Sequence, residues 1–87
     1  MIIRISDLRI IQAQQFGVIV GLPRHDAHQI AMIADLLTAM HDWSDLTFMF
    51  DHLARHAGPL WSVPVSSQRT MAFEWMDGFG PFNIHLL

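Results

Sequence analysis

The sequence contains no cysteine, no lysine and no tyrosine among its 87 residues. Without cysteine the chain cannot form a disulfide framework, a zinc ribbon or a thiol nucleophile. Without lysine and tyrosine it also lacks a Schiff-base lysine, a P-loop lysine and a tyrosine acid or base. These absences exclude many enzyme classes before any motif is considered.

Long hydrophobic runs are absent as well, and no apolar stretch approaches the roughly 18 residues that a membrane helix requires. The opening segment MIIRISDLR does not have the charged region, apolar region and cleavage site of a signal peptide in their usual order. From these two observations we expect a cytoplasmic protein that does not contact a membrane.

Positive charge is scarce. Five arginines stand against eight acidic residues, which gives a net charge of −3 and an isoelectric point near 6.0. This is the wrong sign for a protein that binds mainly through nucleic-acid phosphates. A nucleic-acid function would therefore have to depend on a small local patch of positive charge.

Apolar residues, in contrast, are abundant. They make up 52% of the chain, and the mean hydropathy is +0.30, which predicts a folded protein. Residues 1–87 have room for one domain and one core. Because so small a body cannot bury all of its apolar surface, we expect a homo-oligomer or a complex with another protein.

The front half of the sequence reads as a short strand followed by helices. Met1–Ile5 is rich in β-branched isoleucine, which favours a strand. Ser6 and Asp7 then favour the start of a helix that ends at Gly17. Residues 18–20 fit either a strand or a buried connection, since short apolar runs have no decisive period. The next helix starts after Pro23 and is apolar on several sides, so we expect it to be covered on two of them.

A third helix is predicted from Ser44 to Ala57. Ser44 is a suitable N-cap, Leu46, Phe50 and Leu53 recur at helical spacing, and a glycine and a proline follow Ala57 as stop signals.

After Pro59 the hydrophobic period changes to two, which indicates strands over 61–65, 71–75 and 82–86. Ser66-Ser67-Gln68 and residues 77–81 have turn chemistry. Pro64 cannot donate a ladder hydrogen bond, so its strand is expected at an edge or at a bulge. The predicted fold class is α+β, with an N-terminal strand and helices packed on a C-terminal antiparallel meander.

Three segments, which lie within a span of roughly two thirds of the chain, resemble the RelE/HigB superfamily of bacterial toxin-antitoxin toxins. They are Leu22-Pro23 with Ala27, Ile30, Ile33, Leu37 and Ala39; Trp61-Ser62-Val63-x-Val65-Ser66; and Phe73-x-Trp75-x-Asp77-Gly78 with Phe82-x-Ile84. They look like that family's Ile-Pro-x-x-x-Ala helix, its Trp-Ser-Val strand and its Phe-x-Phe-x-Asp-Gly hairpin. The resemblance implies a RelE-like fold, ribosome-dependent mRNA cleavage and an antitoxin partner.

The sequence differs from that family at the positions that correspond to the family's catalytic residues. The basic residue that follows a tryptophan in the penultimate strand would correspond to Arg69 or Thr70, without the tryptophan. The family's Leu-Lys-Gly segment has Arg55 as its nearest basic counterpart, and its C-terminal Asp-Tyr-His has no match. Metal-free RNA cleavage needs cations around the phosphate and an acid/base pair. We therefore expect the endonuclease activity to be weakened or lost.

The catalytic candidates are Arg69 and Arg55, which would bind phosphate, and His85, which would move a proton if Arg69 lies on the neighbouring strand. His52 and His56, four residues apart on the predicted third helix, are weak zinc candidates. A usable site needs a third ligand, and a solvated helix face is the simpler interpretation. The sequence therefore predicts no metal and no cofactor.

Four large side chains do not fit one inner face and are candidates for binding a partner: Trp43, Phe48, Met49 and Phe79. Two hypotheses follow. The chain is either a toxin-type endonuclease that acts on ribosome-bound mRNA, or a toxin-like scaffold that works through protein contacts. In the second case the partner is an antitoxin or a target complex, such as a host defence complex inhibited by a phage protein.

Overall fold

The computed structural model describes residues 3–55 and 58–87. This part of the chain folds into three helices and a four-stranded antiparallel sheet with the strand order β1-β2-β3-β4. The elements are α1 (Leu8–Phe16), α2 (Arg24–Thr38), α3 (Trp43–Met49), β1 (Ala54–Arg55), β2 (Trp61–Pro64), β3 (Thr70–Met76) and β4 (Gly80–Leu86). The predicted α+β class is confirmed. No helix in the described ranges is both long and apolar enough to cross a membrane.

The first two helices form where the sequence predicts them. Asp7 caps the N-terminus of α1 and Gly17, in the left-handed conformation, ends it. Helix α2 begins directly after Pro23 and packs against both α1 and β4, which confirms coverage on two sides. Residues 18–20 form a connection and not a strand, but only Ile19 is buried, while Val18 and Val20 are exposed, so the alternative of a buried connection holds only in part.

The sheet register separates two faces. Arg55, Trp61 and Phe73 form one cross-strand row. Phe73 is fully buried in the hydrophobic core, which also contains residues of all three helices, so this is the helix-bearing face. The next row, Ala54, Ser62, Ala72 and His85, lies on the opposite face, because successive side chains alternate across a strand. We call this second side the open face.

The N-terminal strand is shorter and less regular than predicted. Residues 1 and 2 lie outside the described residues, and Ile5 forms a single parallel bridge with Ile84. Ile84 N–H donates to Arg4 O at 2.9 Å, and Ser6 N–H donates to Ile84 O at 3.0 Å. The segment therefore runs beside β4 without becoming a full strand. The irregular β4 backbone at Asn83, with φ at 51°, does not offer an evenly spaced ladder.

The predicted third helix is wrong in its second half. Helix α3 ends at Met49, and Phe50 already has extended dihedral angles (φ −122°, ψ 111°). The chain then forms the short strand β1, which pairs with β2 and gives its backbone groups hydrogen-bond partners. The predicted helical residue Ala57 lies outside the described residues. Leu53 still packs on the core. It reaches the core from the segment between α3 and β1 and not from a helix.

Strand β2 lies inside the sheet, yet the expectation for Pro64 holds locally. Among the described residues, β1 pairs with Trp61 and Ser62 and does not extend to Pro64. Pro64 pairs with Thr70 of β3 on its inner side. The missing N–H of proline is therefore placed where no neighbouring strand needs it.

Asp7 joins the start of α1 to the C-terminal strand. Its carboxylate accepts hydrogen bonds from the backbone N–H of Arg9 and of Leu86, both at 3.0 Å, and forms an ion pair with the Arg9 guanidinium at 2.8 Å. Burial alone would raise the pKa of Asp7, but the hydrogen bonds from Arg9 and Leu86 outweigh it and lower the pKa below its ordinary value of 3.8. The folded state therefore favours the ionised carboxylate.

Replacing Asp7 by asparagine is expected to lower the free energy of unfolding at neutral pH by about 1 kcal/mol, the usual scale of a charged cap. Because the folded pKa is depressed, this stabilisation is fully present above 3.8 and is lost as the pH falls through the folded value. Denaturant unfolding of the wild type and Asp7→Asn from pH 7 downwards should give curves that converge in acid. A difference that does not change with pH would contradict this account.

Candidate protein-binding groove

An apolar groove with a volume of about 320 Å³ runs between α2 and the segment that follows α3. One end of β2 closes it. The lining residues are Gln29, Met32, Ile33, Leu36, Met49, Phe50, Asp51, His52, Pro64 and Val65. The groove thus lies on an outer side of α2, next to the core but open to solvent.

Helical spacing places the α2 wall of the groove. Gln29, Met32, Ile33 and Leu36 fall on one side of the helix at intervals of three and four residues. Ile33 is buried, but Met32 is 49% exposed. A methionine this exposed beside other apolar groups is typical of adaptable binding surfaces.

The opposite wall of the groove is formed where α3 ends, which is earlier in the chain than the sequence predicts. Because Phe50 is extended, the chain turns out of the helix there, and Asp51 and His52 lie in the following turn. Met49, the last helical residue, is 47% exposed and faces the groove. If the helix continued to Ala57, as the sequence predicts, these side chains would point in different directions around the helix axis. They would then not lie together along one side of the groove.

The α3 side of the groove is acidic. Asp51 is part of the lining, and Asp45 lies one turn before Met49, on the same side of α3. Within residues 3–55 and 58–87, neither carboxylate forms an ion pair with a basic side chain. The groove is therefore apolar inside and negatively charged along one rim.

The three residues predicted to be catalytic do not come together. His85 lies on the open face and pairs with Ala72, whereas Arg55 pairs with Trp61 on the helix-bearing face, with its guanidinium 5.5 Å from the Trp61 ring centre. Arg69 precedes β3 and is three residues from Ala72, about 10 Å along an extended chain. Arg69 thus lies one residue before the strand that neighbours His85, and the register does not place it beside His85.

Arg69 is held at the hairpin between β2 and β3. Its carbonyl oxygen accepts hydrogen bonds from the N–H groups of Val65 (2.9 Å) and Ser66 (3.2 Å). Its side-chain Nε is buried and has no hydrogen-bond partner among the described residues. The Arg69 side chain is therefore half-buried, and its guanidinium group is not fully exposed for binding a phosphate.

A hydrogen-bonded network surrounds the irregular point of β4. The register shifts between Ala72 and Glu74. Asn83 there accepts a hydrogen bond from Ser6 Oγ at 2.6 Å and donates one to the Glu74 carboxylate at 2.8 Å. His85 Nδ1 donates to Asn83 O at 2.7 Å. Among the described residues no arginine is hydrogen-bonded to this network. The sequence signal for this network is slight, since Asn83 only interrupts an apolar alternation.

The four predicted partner-binding residues have different surroundings. Trp43 packs edge-on between Trp61 and Trp75, with ring centres 5.0 and 5.2 Å apart. Phe79 is half-buried under the Arg4 guanidinium, 4.2 Å from the ring centre. Phe48 is 84% exposed, and Met49 beside it lines the groove. The prediction that these residues bind a partner stays untested, but Phe48 and Met49 are in a position to do so.

The proposed histidine pair loses its geometric basis. His52 lies in the turn after α3, so the shared helix face that the sequence predicts for it does not exist. His56 lies outside the described residues. Among the described residues no group of three or more histidine, aspartate or glutamate side chains is close enough to hold a metal ion.

The sequence missed most of the groove. The sequence predicts that α2 is apolar on several sides and that 61–65 is a strand, but neither prediction indicates that Met32, Leu36 and Val65 line one groove. A second apolar stripe on α2, formed by Met32 and Leu36 beside the buried stripe at Ile30, Ile33 and Leu37, is the signal that could have marked one wall. No protein-family model matches the chain, and the search of curated proteins found no significant match.

Proposed function

We propose that this chain is a toxin-like domain of the RelE/HigB type that acts mainly through protein contacts in the cytoplasm, with ribosome-dependent mRNA endonuclease activity weakened or lost. The observation that carries the proposal is the apolar groove, whose lining includes the exposed Met32 and Met49. Exposed apolar patches of this kind usually mark interaction sites.

The arrangement of the cations supports the loss of nuclease chemistry. Cleavage of RNA without a metal requires positive groups around one phosphate together with a proton donor and acceptor. Arg55 and His85 lie on opposite faces of the sheet, and Arg69 is at a hairpin turn with its Nε buried. Such dispersed groups cannot contact one phosphate at the same time.

The overall charge supports protein binding over RNA binding. With a net charge of −3 the protein repels a phosphate backbone at long range. A protein partner with positive groups would be attracted instead. The proposal includes either an antitoxin-type partner or a target complex.

The nuclease part is tested with purified protein, translating ribosomes and mRNA. We expect no cleavage above the background, and the same result for the wild type, Arg69→Ala and His85→Ala. Ribosome-dependent cleavage by the wild type that is lost in Arg69→Ala would overturn this part and favour an active mRNA endonuclease.

The binding part is tested by co-purification of the tagged full chain from its native host, followed by light scattering on the isolated species. We expect a defined complex of fixed stoichiometry. A monomer that co-purifies with no protein would contradict the proposal.

A further inference from the structure

The lining residues of the groove between α2 and the end of α3, and the carboxylate among them, restrict its occupant. We propose that the groove binds an amphipathic helix of a protein partner. That helix carries an apolar stripe two turns long, with basic residues beside the stripe. This inference rests on the proposed function, since it names the kind of partner that the protein-binding site recognises.

The length of the groove fits two helical turns. Its α2 wall runs from Gln29 to Leu36, a separation of seven residue steps and about 10.5 Å of helix. Side chains at positions i, i+3 or i+4, and i+7 of a partner helix span the same distance and are the usual anchors of a helix in a groove. The volume of about 320 Å³ can hold a few aliphatic side chains.

An added strand is a poor occupant because the sheet cannot hydrogen-bond to it at this place. Pro64, at the end of β2, has no N–H group. The N–H of Val65 already donates to Arg69 O at 2.9 Å. Strand addition depends on free main-chain donors and acceptors along an edge, so recognition here has to come from side chains that enter the groove.

The charge on the rim favours a basic partner over a second copy of the chain. Asp51 lines the groove, and Asp45 lies one turn before Met49. A symmetric dimer formed through this groove would bring two copies of the same acidic rim together, because both subunits use the same patch. Lysine or arginine beside the apolar stripe of another protein would instead complement these carboxylates.

The test uses three synthetic 16-residue peptides and the full chain. The first carries leucine at i, i+4 and i+7 with lysine and alanine elsewhere, the second has glutamate in place of lysine, and the third is a scrambled version of the first. Fluorescence anisotropy should show the lysine peptide binding at least about tenfold more tightly than either of the others. Equal affinity for the lysine and scrambled peptides would overturn the proposal, since charge alone would explain the binding.

Two variants locate the binding to the groove. Met49→Asp is expected to weaken the lysine peptide by about tenfold, although it adds a negative charge that would attract lysine. Met76→Asp is the matched control, because Met76 is 39% exposed, lies at the end of β3 outside the groove and should leave binding unchanged. Asp51→Asn should weaken the lysine peptide several-fold without affecting the glutamate peptide. Unchanged binding in Met49→Asp would refute the groove as the site.

Failure of this inference can be told apart from failure of the proposed function. A native partner that still co-purifies with Met49→Asp would leave the protein-binding function intact and place the contact elsewhere. A dimer of the chain that Met49→Asp dissociates would make a second copy the occupant, and the helix proposal would then be wrong. A native partner whose binding is lost in Met49→Asp and retained in Met76→Asp supports both.

Discussion

Replacing Gly80 by alanine is expected to remove most of the stability of this protein. Gly80 has φ at 103°, and a Cβ atom on it would overlap the carbonyl oxygen of Met40. That backbone conformation costs a residue with a side chain about 1–3 kcal/mol, and the overlap with backbone atoms adds to it. Since a chain of this length has a total stability of roughly 4 to 13 kcal/mol, urea unfolding should show a variant that is barely folded or unfolded.

Gly78 provides the matched control, because it lies in the same hairpin with φ at 81° and has no atom within 4 Å of an added Cβ. Gly78→Ala therefore carries the backbone strain without the overlap, and its cost should be about 1–2 kcal/mol. If the two variants lose equal stability, the close approach of β4 to the end of α2 is not what requires glycine at position 80.

The elements that could be predicted from the sequence are those whose signals are local. Helix α1 has a capping aspartate and a terminating glycine, and α2 has a proline start and a regular apolar stripe, so both were placed correctly. The hairpin strands β3 and β4 were also found, because alternation and turn residues agree there. In each case the neighbouring residues alone determine the structure.

The third helix shows where local signals stop being sufficient. Leu46, Phe50 and Leu53 have helical spacing, and all three do pack on the core or in it. The chain nevertheless leaves the helix after Met49, because residues 54–55 can pair with β2. Pairing between distant segments is a tertiary effect that overrides local preference, and periodicity does not report it.

The candidate site was predictable only in part, for the same reason. Met49 is one of the four large side chains that do not all fit one inner face, and it does line the groove. Its neighbours across the groove, Met32 and Val65, come from two other parts of the chain. No spacing in the sequence indicates that these parts meet, so the groove itself could not be foreseen.

Removal of the Trp43 side chain is expected to damage both the fold and the groove, although Trp43 does not line the groove. Helix α3 has seven residues and is too short to be stable alone. Trp43, between Trp61 and Trp75, and the fully buried Leu46 attach it to the sheet. Trp43→Ala should cost about 2–3 kcal/mol, as expected for a large side chain that is only partly buried.

The consequence for function follows from the position of Met49 at the other end of the same short helix. If α3 loses its aromatic anchor, Met49 and Phe50 no longer form a fixed wall, and the lysine peptide should bind at least several-fold more weakly to Trp43→Ala. Trp43→Phe keeps an edge-on aromatic contact and should recover much of both properties. Phe48→Ala, at a side chain that is 84% exposed, should change stability by no more than about 0.5 kcal/mol. A Trp43→Ala variant with unchanged stability but lost binding would instead mean that Trp43 contacts the partner directly.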